Sequence, residues 1–210
     1  MRESHTATAD EVELKAVVPD LAAARARVEA AGGTLLFVGH LEDRRWDTAA
    51  RHLMRGDEVL RTRVATPHAG GPGTAHASLD FKGPTRRERG YKVREERSTP
   101  VGDASVLALV LTRAGFVVTR EVDREIAQYA LHDAVVRFEV YPRLDVLVEV
   151  EGTPDAIERA IRVLGIDRAA FGPGRLTDFV TAFERRTGTR AAVCRRELTG
   201  DRPARAGDRA

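Results

Sequence analysis

The 210-residue sequence contains a single cysteine, Cys194, and few aromatic residues, which make up 5% of the chain. One thiol excludes an internal disulfide framework and a zinc site built from several thiolates. Because Cys194 lies in an arginine-rich stretch with no histidine nearby, we do not expect it to be a catalytic nucleophile. No run of about 18 apolar residues occurs, and the first twenty residues lack the apolar core of a signal peptide. A cytoplasmic location is therefore expected.

Several motifs of common enzyme classes are also absent. The six histidines form no His-Glu-x-x-His pattern, and neither a Gly-x-Ser-x-Gly elbow nor a Gly-Lys-Ser/Thr phosphate loop occurs. The 34 basic and 32 acidic residues nearly balance, so the charge does not indicate nucleic-acid binding. We expect no nucleic-acid and no membrane partner, and the oligomeric state stays open between a monomer and a homodimer.

The composition fits one folded domain with polar ends. Apolar residues make up 42% of the chain and charged residues 31%, as in globular proteins, and the length allows a sizeable core. Residues 1–9 and 188–210 have few large apolar residues and are predicted to be disordered. The arginine-rich tail is interpreted as a solvated terminus, and contact with an acidic partner is the alternative. The folded domain is predicted at 10–187.

Charged and apolar residues alternate in four segments of the chain. Residues 11–15 read Glu-Val-Glu-Leu-Lys, and residues 147–151 carry Glu149 and Glu151 at the same spacing. Residues 60–64 and 79–83 place two arginines and a lysine in the same kind of pattern. Side chains two apart on a strand share a face, so each segment predicts a strand with one charged and one apolar face.

The predicted elements indicate an α+β protein with an eight-stranded antiparallel β-barrel. Eight strands follow one another with few helices between them, and the glycine-rich segment 70–73 is a hairpin signal. Residues 49–56 are interpreted as an irregular connection and 85–90 as a charged loop. A helix capped by Asp103 is predicted to bury the apolar residues Val106, Leu107, Val110 and Leu111.

The charged faces of such a barrel can point inward or outward. Pointing outward, they leave an interior filled with apolar side chains; pointing inward, they line a hydrated tunnel whose apolar exterior the helices cover. We favour the inward arrangement because the predicted helices are amphipathic and need an apolar sheet face to pack on. Carboxylates and cations in one tunnel suit a polyanion held by metal ions and by direct cationic contacts.

Six short motifs, in this order along the chain, together resemble the CYTH superfamily, also called the triphosphate tunnel metalloenzymes. The motifs are Glu11-x-Glu13-x-Lys15, Trp46-Asp47-Thr48, Leu60-Arg61-x-Arg63, Phe81-Lys82-Gly83-Pro84, Arg94-Glu95-Glu96 and Glu149-x-Glu151-Gly152. The resemblance covers roughly residues 10–185 and is nearest to the class IV adenylate cyclase branch. It implies an eight-stranded tunnel with helices outside, Mg²⁺ or Mn²⁺, and a substrate that ends in a triphosphate, such as ATP, thiamine triphosphate or inorganic triphosphate.

The resemblance also implies a role for individual residues. The metal-binding carboxylates are Glu11, Glu13, Glu149 and Glu151. The phosphate-binding cations are Lys15, Arg61, Arg63, Lys82, Arg94, Arg120 and Arg124. The second cation of a Lys-x-Arg pair in the family is Ile126 here, and Arg120 on the same strand face is its substitute. The general-base candidates are Glu139 and Glu96.

The leading hypothesis is a metal-dependent enzyme acting on a triphosphate. Class IV adenylate cyclase activity, which forms cyclic AMP and pyrophosphate, is named first, and hydrolysis of inorganic triphosphate, thiamine triphosphate or a nucleoside triphosphate is its alternative. A non-catalytic module that binds nucleotide or polyphosphate is a second alternative, motivated by the missing cation at Ile126. A third is a lipocalin-like barrel for a neutral ligand, with its charges outside.

Overall fold

The computed structural model of the protein describes residues 9–200. The strands are β1 Ala9–Val17, β2 Thr34–Thr48, β3 Val59–Pro67, β4 His76–Lys82, β5 Arg86–Glu88, β6 Tyr91–Val101, β7 Phe116–Leu131, β8 Ala134–Val140 and β9 Leu147–Gly152. The α-helices are α1 Leu21–Ala30, α2 His52–Arg55, α3 Ala104–Arg113, α4 Pro154–Leu164 and α5 Leu176–Thr187. None of the helices in the described range is both long and apolar enough to cross a membrane.

Eight of the strands close into an antiparallel barrel. The sheet order is β1-β9-β8-β7-β2-β3-β4-β6, and β1 pairs with β6 as well as with β9, which completes the ring. The ninth strand, β5, lies outside the ring and pairs with β6 alone. The predicted α+β fold with an eight-stranded antiparallel barrel is therefore confirmed.

The apolar faces of the strands point outward, beneath helices. Leu14 and Ala16 of β1 are buried in the main hydrophobic core, where they join residues of β7, β8 and β9. Helix α4 supplies Ile157 and Leu164 to the same core. The alternate residues, including Glu13, face the barrel interior, so the predicted inward arrangement is confirmed. A barrel with its charges outside is excluded.

One end of the barrel interior is apolar. Leu41, Ala65 and Ile126 lie two residues beyond Asp43, Arg63 and Arg124 on the same strand faces. Together with Phe37 they form a separate buried cluster. This cluster fills one end of the barrel interior with apolar side chains.

Three of the helices begin at a capping side chain, including the predicted cap Asp103. The side chains of Asp20, Asp103 and Thr153 accept backbone hydrogen bonds at the N-termini of α1, α3 and α4. Helix α4 ends at Gly165, whose φ of 65° lies in the left-handed region that glycine adopts at little cost. These caps account for the N-termini of α1, α3 and α4 and for the end of α4.

Three local predictions were wrong. Residues 49–56 contain the short helix α2, and the charged segment 85–90 contains strand β5, because β6 offers it a free edge. On α3, Leu111 is buried, whereas Val106 and Val110 are 56% and 54% exposed. The helix lies against the barrel along one narrow side, so its remaining apolar residues face away from it.

The prediction of a disordered tail from residue 188 onward is wrong for residues 188–200. Ala191, Ala192, Val193 and Cys194 are almost fully buried. The backbone N–H of Asp123 donates to the carbonyl of Val193, at 2.9 Å. Strand β8 pairs with β7 only from Glu125 onward, so the tail covers the edge that β8 leaves free. Residues 1–8 and 201–210, also predicted to be disordered, lie outside the described residues.

Candidate active site

The barrel encloses a cavity of about 820 Å³ that the charged strand faces line. All thirteen site residues predicted from the sequence lie in its wall: Glu11, Glu13, Lys15, Arg61, Arg63, Lys82, Arg94, Glu96, Arg120, Arg124, Glu139, Glu149 and Glu151. They come from seven different strands, so the closed barrel is what brings them together. The cavity also reaches residues of α2 and the first turns of α5, on the side opposite the apolar end.

Four carboxylates converge on one wall of this cavity. Carboxylate oxygens of Glu11, Glu13, Glu149 and Glu151 all lie within 4.8 Å of one another. The register of β1 and β9 produces this arrangement, because Glu13 lies opposite Glu151 and Lys15 opposite Glu149. Oxygen ligands of this kind suit Mg²⁺ or Mn²⁺, so the donor set fits the metal that the sequence predicts.

The electrostatics of the cluster differ from one carboxylate to the next. Burial, with the nearby Glu13 and Glu151, raises the pKa of Glu11 to about 7 against the opposing effect of Lys82. Burial would also raise the pKa of Glu13, but Lys15 and Lys92 hold it well below its ordinary value. Two carboxylates 4.8 Å apart repel each other by about 3.5 kcal/mol at an effective dielectric constant near 20. A divalent cation would relieve this repulsion.

The facing wall holds an arginine cluster around Asp43. Arg63 donates to both oxygens of Asp43 at 2.7 and 3.0 Å, and Arg124 donates to Oδ2 at 2.9 Å. Arg61 lies 3.5 Å from the same carboxylate and donates to Asp80 at 2.7 Å. Burial opposes ionisation of Asp43, but these three guanidinium groups hold its pKa well below the usual range. Planar guanidinium groups fixed in this way can bind phosphate oxygens bidentately.

Two lysines pair with the acidic cluster. Lys82 contacts Glu11 at 2.6 Å and Glu96 at 2.8 Å, while Lys15 contacts Glu13 at 2.9 Å and also pairs with Glu149. Each lysine therefore neutralises carboxylates of the acidic cluster.

Solved structures share this barrel. A candidate adenylate cyclase from Vibrio parahaemolyticus is 17% identical, with a TM-score of 0.69 over 83% of this chain and 99% of its own. The PH1819 protein from Pyrococcus horikoshii is 21% identical, with a TM-score of 0.66 over 82% and 98%. A candidate adenylyl cyclase from Hippeastrum, described as having a dominant triphosphatase activity, is 18% identical, with a TM-score of 0.60 over 85% and 96%.

The chain has the barrel fold of these solved structures. No family model and no curated protein sequence matches it. The similarity therefore lies in the barrel and not in overall sequence.

The segment Trp46-Asp47-Thr48, one of the six motifs of the sequence resemblance, has a structural role in this chain. The Asp47 carboxylate accepts hydrogen bonds from the backbone N–H groups of Thr48, Leu53 and Met54 at 2.7 to 3.0 Å. The Trp46 indole donates to the Thr62 hydroxyl at 2.9 Å. The motif thus anchors α2 at the rim of the cavity.

The two general-base candidates both line the cavity, and both are ion-paired. Glu139 accepts from Arg124 at 2.8 Å and from the Tyr141 hydroxyl at 2.7 Å. Burial would raise the pKa of Glu139, but Arg124 and Lys15 lower it to about 2. Lys82 and Arg61 likewise lower the pKa of Glu96 despite burial. Carboxylates of such low pKa are weak proton acceptors at neutral pH, so their role as bases stays a prediction.

Four further charged residues on the barrel strands that line the cavity were not predicted from the sequence. Lys92 pairs with Glu13, and Arg137 donates to Glu149 at 2.6 Å. The other two, Asp43 and Arg45, are neighbours on the inner face of β2. Lys92 lies two residues from Arg94 on β6, and Arg137 lies two residues from Glu139 on β8. Asp43 and Arg45 are likewise two residues apart on β2. The period of two residues along these strands is therefore the signal that could have identified them.

Proposed function

We propose that the protein is a divalent-metal-dependent enzyme that acts on a small molecule bearing a triphosphate. The observation that carries this proposal is the pairing of two opposite charge sets in one enclosed cavity. Four carboxylate oxygens lie within 4.8 Å of one another, and lysines and arginines surround them. An anionic chain with bound metal neutralises both sets at once, which no neutral ligand does.

The roles follow from the contacts. Glu11, Glu13, Glu149 and Glu151 would hold Mg²⁺ or Mn²⁺, and the bound ion would supply Lewis-acid stabilisation of charge on the phosphoryl oxygens. Phosphate oxygens would be bound by the predicted cations Lys15, Arg61, Arg63, Lys82, Arg94, Arg120 and Arg124. Because these groups are fixed on different strands of a rigid barrel, they would hold the chain extended for in-line attack.

Hydrolysis is the reaction that the cavity supports better. Within the described part of the chain, the cavity wall contains two aromatic side chains, Trp46 and Tyr141. Both are buried, and each donates a hydrogen bond to a neighbour, Trp46 to Thr62 and Tyr141 to Glu139. Neither presents a ring face on which an adenine could stack. In the hydrolysis, a water oxygen attacks the terminal phosphorus, the bridging P–O bond breaks, and inorganic triphosphate yields orthophosphate and pyrophosphate.

Cyclisation of ATP is the second candidate. The name of the similar structure from Vibrio parahaemolyticus, a candidate adenylate cyclase, supports it, whereas the dominant triphosphatase activity described for the Hippeastrum protein supports hydrolysis. The same charge sets would then orient the ribose 3′-hydroxyl for attack on the α-phosphorus, with pyrophosphate as the leaving group.

A product assay separates these reactions. Purified protein is incubated with inorganic triphosphate, thiamine triphosphate or ATP, each with Mg²⁺ or Mn²⁺ and with EDTA as control. Orthophosphate that forms only with metal supports hydrolysis, whereas cyclic AMP with pyrophosphate supports the cyclase. Tight binding without any product would contradict both and indicate a binding module.

A further inference from the structure

Helix α3 carries apolar side chains on two opposite faces. Leu111 lies against the barrel and is 9% exposed, and Leu107 is half-buried beside it. Val106, Leu109 and Val110 are 56%, 58% and 54% exposed. At about 100° per residue, these three side chains point away from the side that Leu111 buries. Because a helix that is apolar all round is normally covered on all sides, the outer face of α3 is a candidate interaction surface.

The three side chains form one patch. The other large apolar residues that are exposed in the described range, such as Leu36 and Leu198, are isolated from one another along the chain. Apolar residues that are exposed singly are normal on a protein surface, whereas a contiguous patch marks an interaction site. The outer face of α3 therefore requires a cover.

The 210 residues of this chain offer no such cover. Residues 1–8 and 201–210, which lie outside the described range, contain a single large apolar residue, Met1. Segments of this composition supply too little apolar surface to bury three aliphatic side chains. The patch therefore points to a second molecule.

The charges at the two ends of the patch indicate which molecule fits. Asp103 precedes the patch and Arg113 follows it, and both residues are exposed. Asp103, Val106, Val110 and Arg113 are separated by three, four and three residues, so they follow one stripe along the helix. The stripe is thus negative at its start, apolar in the middle and positive at its end.

A second copy of this stripe complements the first when the two helices run antiparallel. Each of the pairs 103 with 113 and 106 with 110 is symmetric about residue 108, so one two-fold axis aligns both. Val106 then packs on Val110 of the partner subunit, and Asp103 meets Arg113 of the partner subunit. The antiparallel helix dipoles add to this attraction. Parallel helices would instead place like charges together at both ends.

We propose that the outer face of α3 is a homodimer interface in which two copies of the helix pack antiparallel. Each subunit contributes one face of a ten-residue helix, so the interface is small and the dissociation constant is about 1 to 100 µM. The dimer requires nothing of the reaction in the cavity. It also buries Val106 and Val110, as the pattern of the sequence predicts.

The test compares Val110→Asp with the matched control Leu36→Asp, which replaces another exposed apolar residue, on β2. Analytical ultracentrifugation from about 1 to 500 µM measures association, and melting temperatures confirm that each variant is folded. The wild type should shift from monomer to dimer over this range. Val110→Asp should weaken association at least about 100-fold, because its carboxylate would be buried without a partner. Leu36→Asp should dimerise like the wild type.

Disulfide cross-linking tests the orientation of the helices. In the antiparallel dimer, positions 106 and 110 are level across the axis, whereas two copies of either position are offset by about 6 Å along the helices. A mixture of Val106→Cys and Val110→Cys proteins should therefore cross-link faster than either protein alone. Leu36→Cys measures random collision, and the native Cys194, 3% exposed, does not compete.

Two results would overturn the interface. A wild type that stays monomeric at every concentration would leave the patch to a different partner, and a dimer that Val110→Asp does not weaken would lie on another surface. Cross-linking that is fastest between two copies of one variant would contradict the antiparallel arrangement. None of these outcomes bears on the product assay, so the dimer and the proposed function fail separately.

Discussion

Replacing Glu11 by Gln should stabilise the metal-free protein and weaken its response to metal. Burial and neighbouring carboxylates raise the pKa of Glu11 from its ordinary 4.5 to about 7 in the folded chain. Between those two pH values the folded chain holds a proton that the unfolded chain has released, so the free energy of unfolding falls as the pH rises. A change of one in a pKa corresponds to about 1.36 kcal/mol. Above pH 7, the ionised Glu11 therefore lowers the free energy of unfolding by about 3 kcal/mol.

The magnitude can be followed by melting temperature. For a protein of this length, about 3 kcal/mol corresponds to a rise of about 6 to 12 °C in melting temperature. We therefore expect Glu11→Gln to melt 6 to 12 °C higher than the wild type in EDTA at pH 8, and only about 1 to 3 °C higher at pH 5, by the same conversion. Lys82 keeps its contact with Glu96 at 2.8 Å, so the substitution does not leave that ammonium unpaired.

Metal should reverse the order of stability. Saturating Mg²⁺ or Mn²⁺ stabilises the wild type by binding the folded state alone, and Glu11→Gln, with one carboxylate fewer, should gain less. Scanning calorimetry at both pH values, with EDTA and with metal, measures each effect. Glu42→Gln, on the exposed outer face of β2, is the control and should match the wild type. A Glu11→Gln protein that is no more stable at pH 8, with an undiminished metal response, would refute the reasoning.

Three other substitutions test separate parts of the site and fold. Arg63→Ala should weaken triphosphate binding about tenfold or more in calorimetry without unfolding the protein, because Asp43 keeps Arg61 and Arg124; unchanged binding would contradict the phosphate role. Glu139→Gln should lower turnover yet leave the acidic limb of the pH–rate profile in place, since the pKa of Glu139 is already about 2; a shifted limb would show a general base. Val193→Asp should lower the free energy of unfolding by about 3 kcal/mol or more in denaturant titrations, whereas a solvated tail would tolerate it.

Much of the fold could be predicted because a strand repeats every two residues. Alternation in segments such as 11–15 and 147–151 located strands and assigned each charged residue to a face. The amphipathic helix α4 then required an apolar sheet surface, which fixed the charges inside the barrel. Both steps use local periodicity, which a sequence displays directly.

The errors occurred where local composition misleads. Val106 and Val110 lie on the same apolar helix as Leu111, yet only Leu111 is buried. Which residues of α3 are buried depends on how the helix packs against the sheet. Ala191 and Val193 are flanked by arginines in the sequence, which suggests a solvated segment. They are buried because the tail pairs with the edge of β7 that the short strand β8 leaves free. Tertiary context of this kind cannot be read from residues near in sequence.

That these charged residues line one cavity could be predicted, but their contact partners could not. Arg63 and Asp43 pair because β2 and β3 are neighbours, whereas Lys82 reaches Glu11 across β6. The latter contact requires β1 to close the ring between β6 and β9, which a sequence does not state. Arg45 was not predicted because it belongs to none of the recognised motifs, although it lies two residues from Asp43 on the same face of β2.

The most direct test of the charged cavity is the position of a metal ion bound with substrate. Crystals grown with Mn²⁺ and inorganic triphosphate would give an anomalous signal for the ion. We predict a peak within coordination distance of at least two of Glu11, Glu13, Glu149 and Glu151, with phosphate oxygens between it and the Asp43 arginine cluster. A substrate and ion bound outside the barrel, with the four carboxylates still paired to lysines and arginines, would contradict the account.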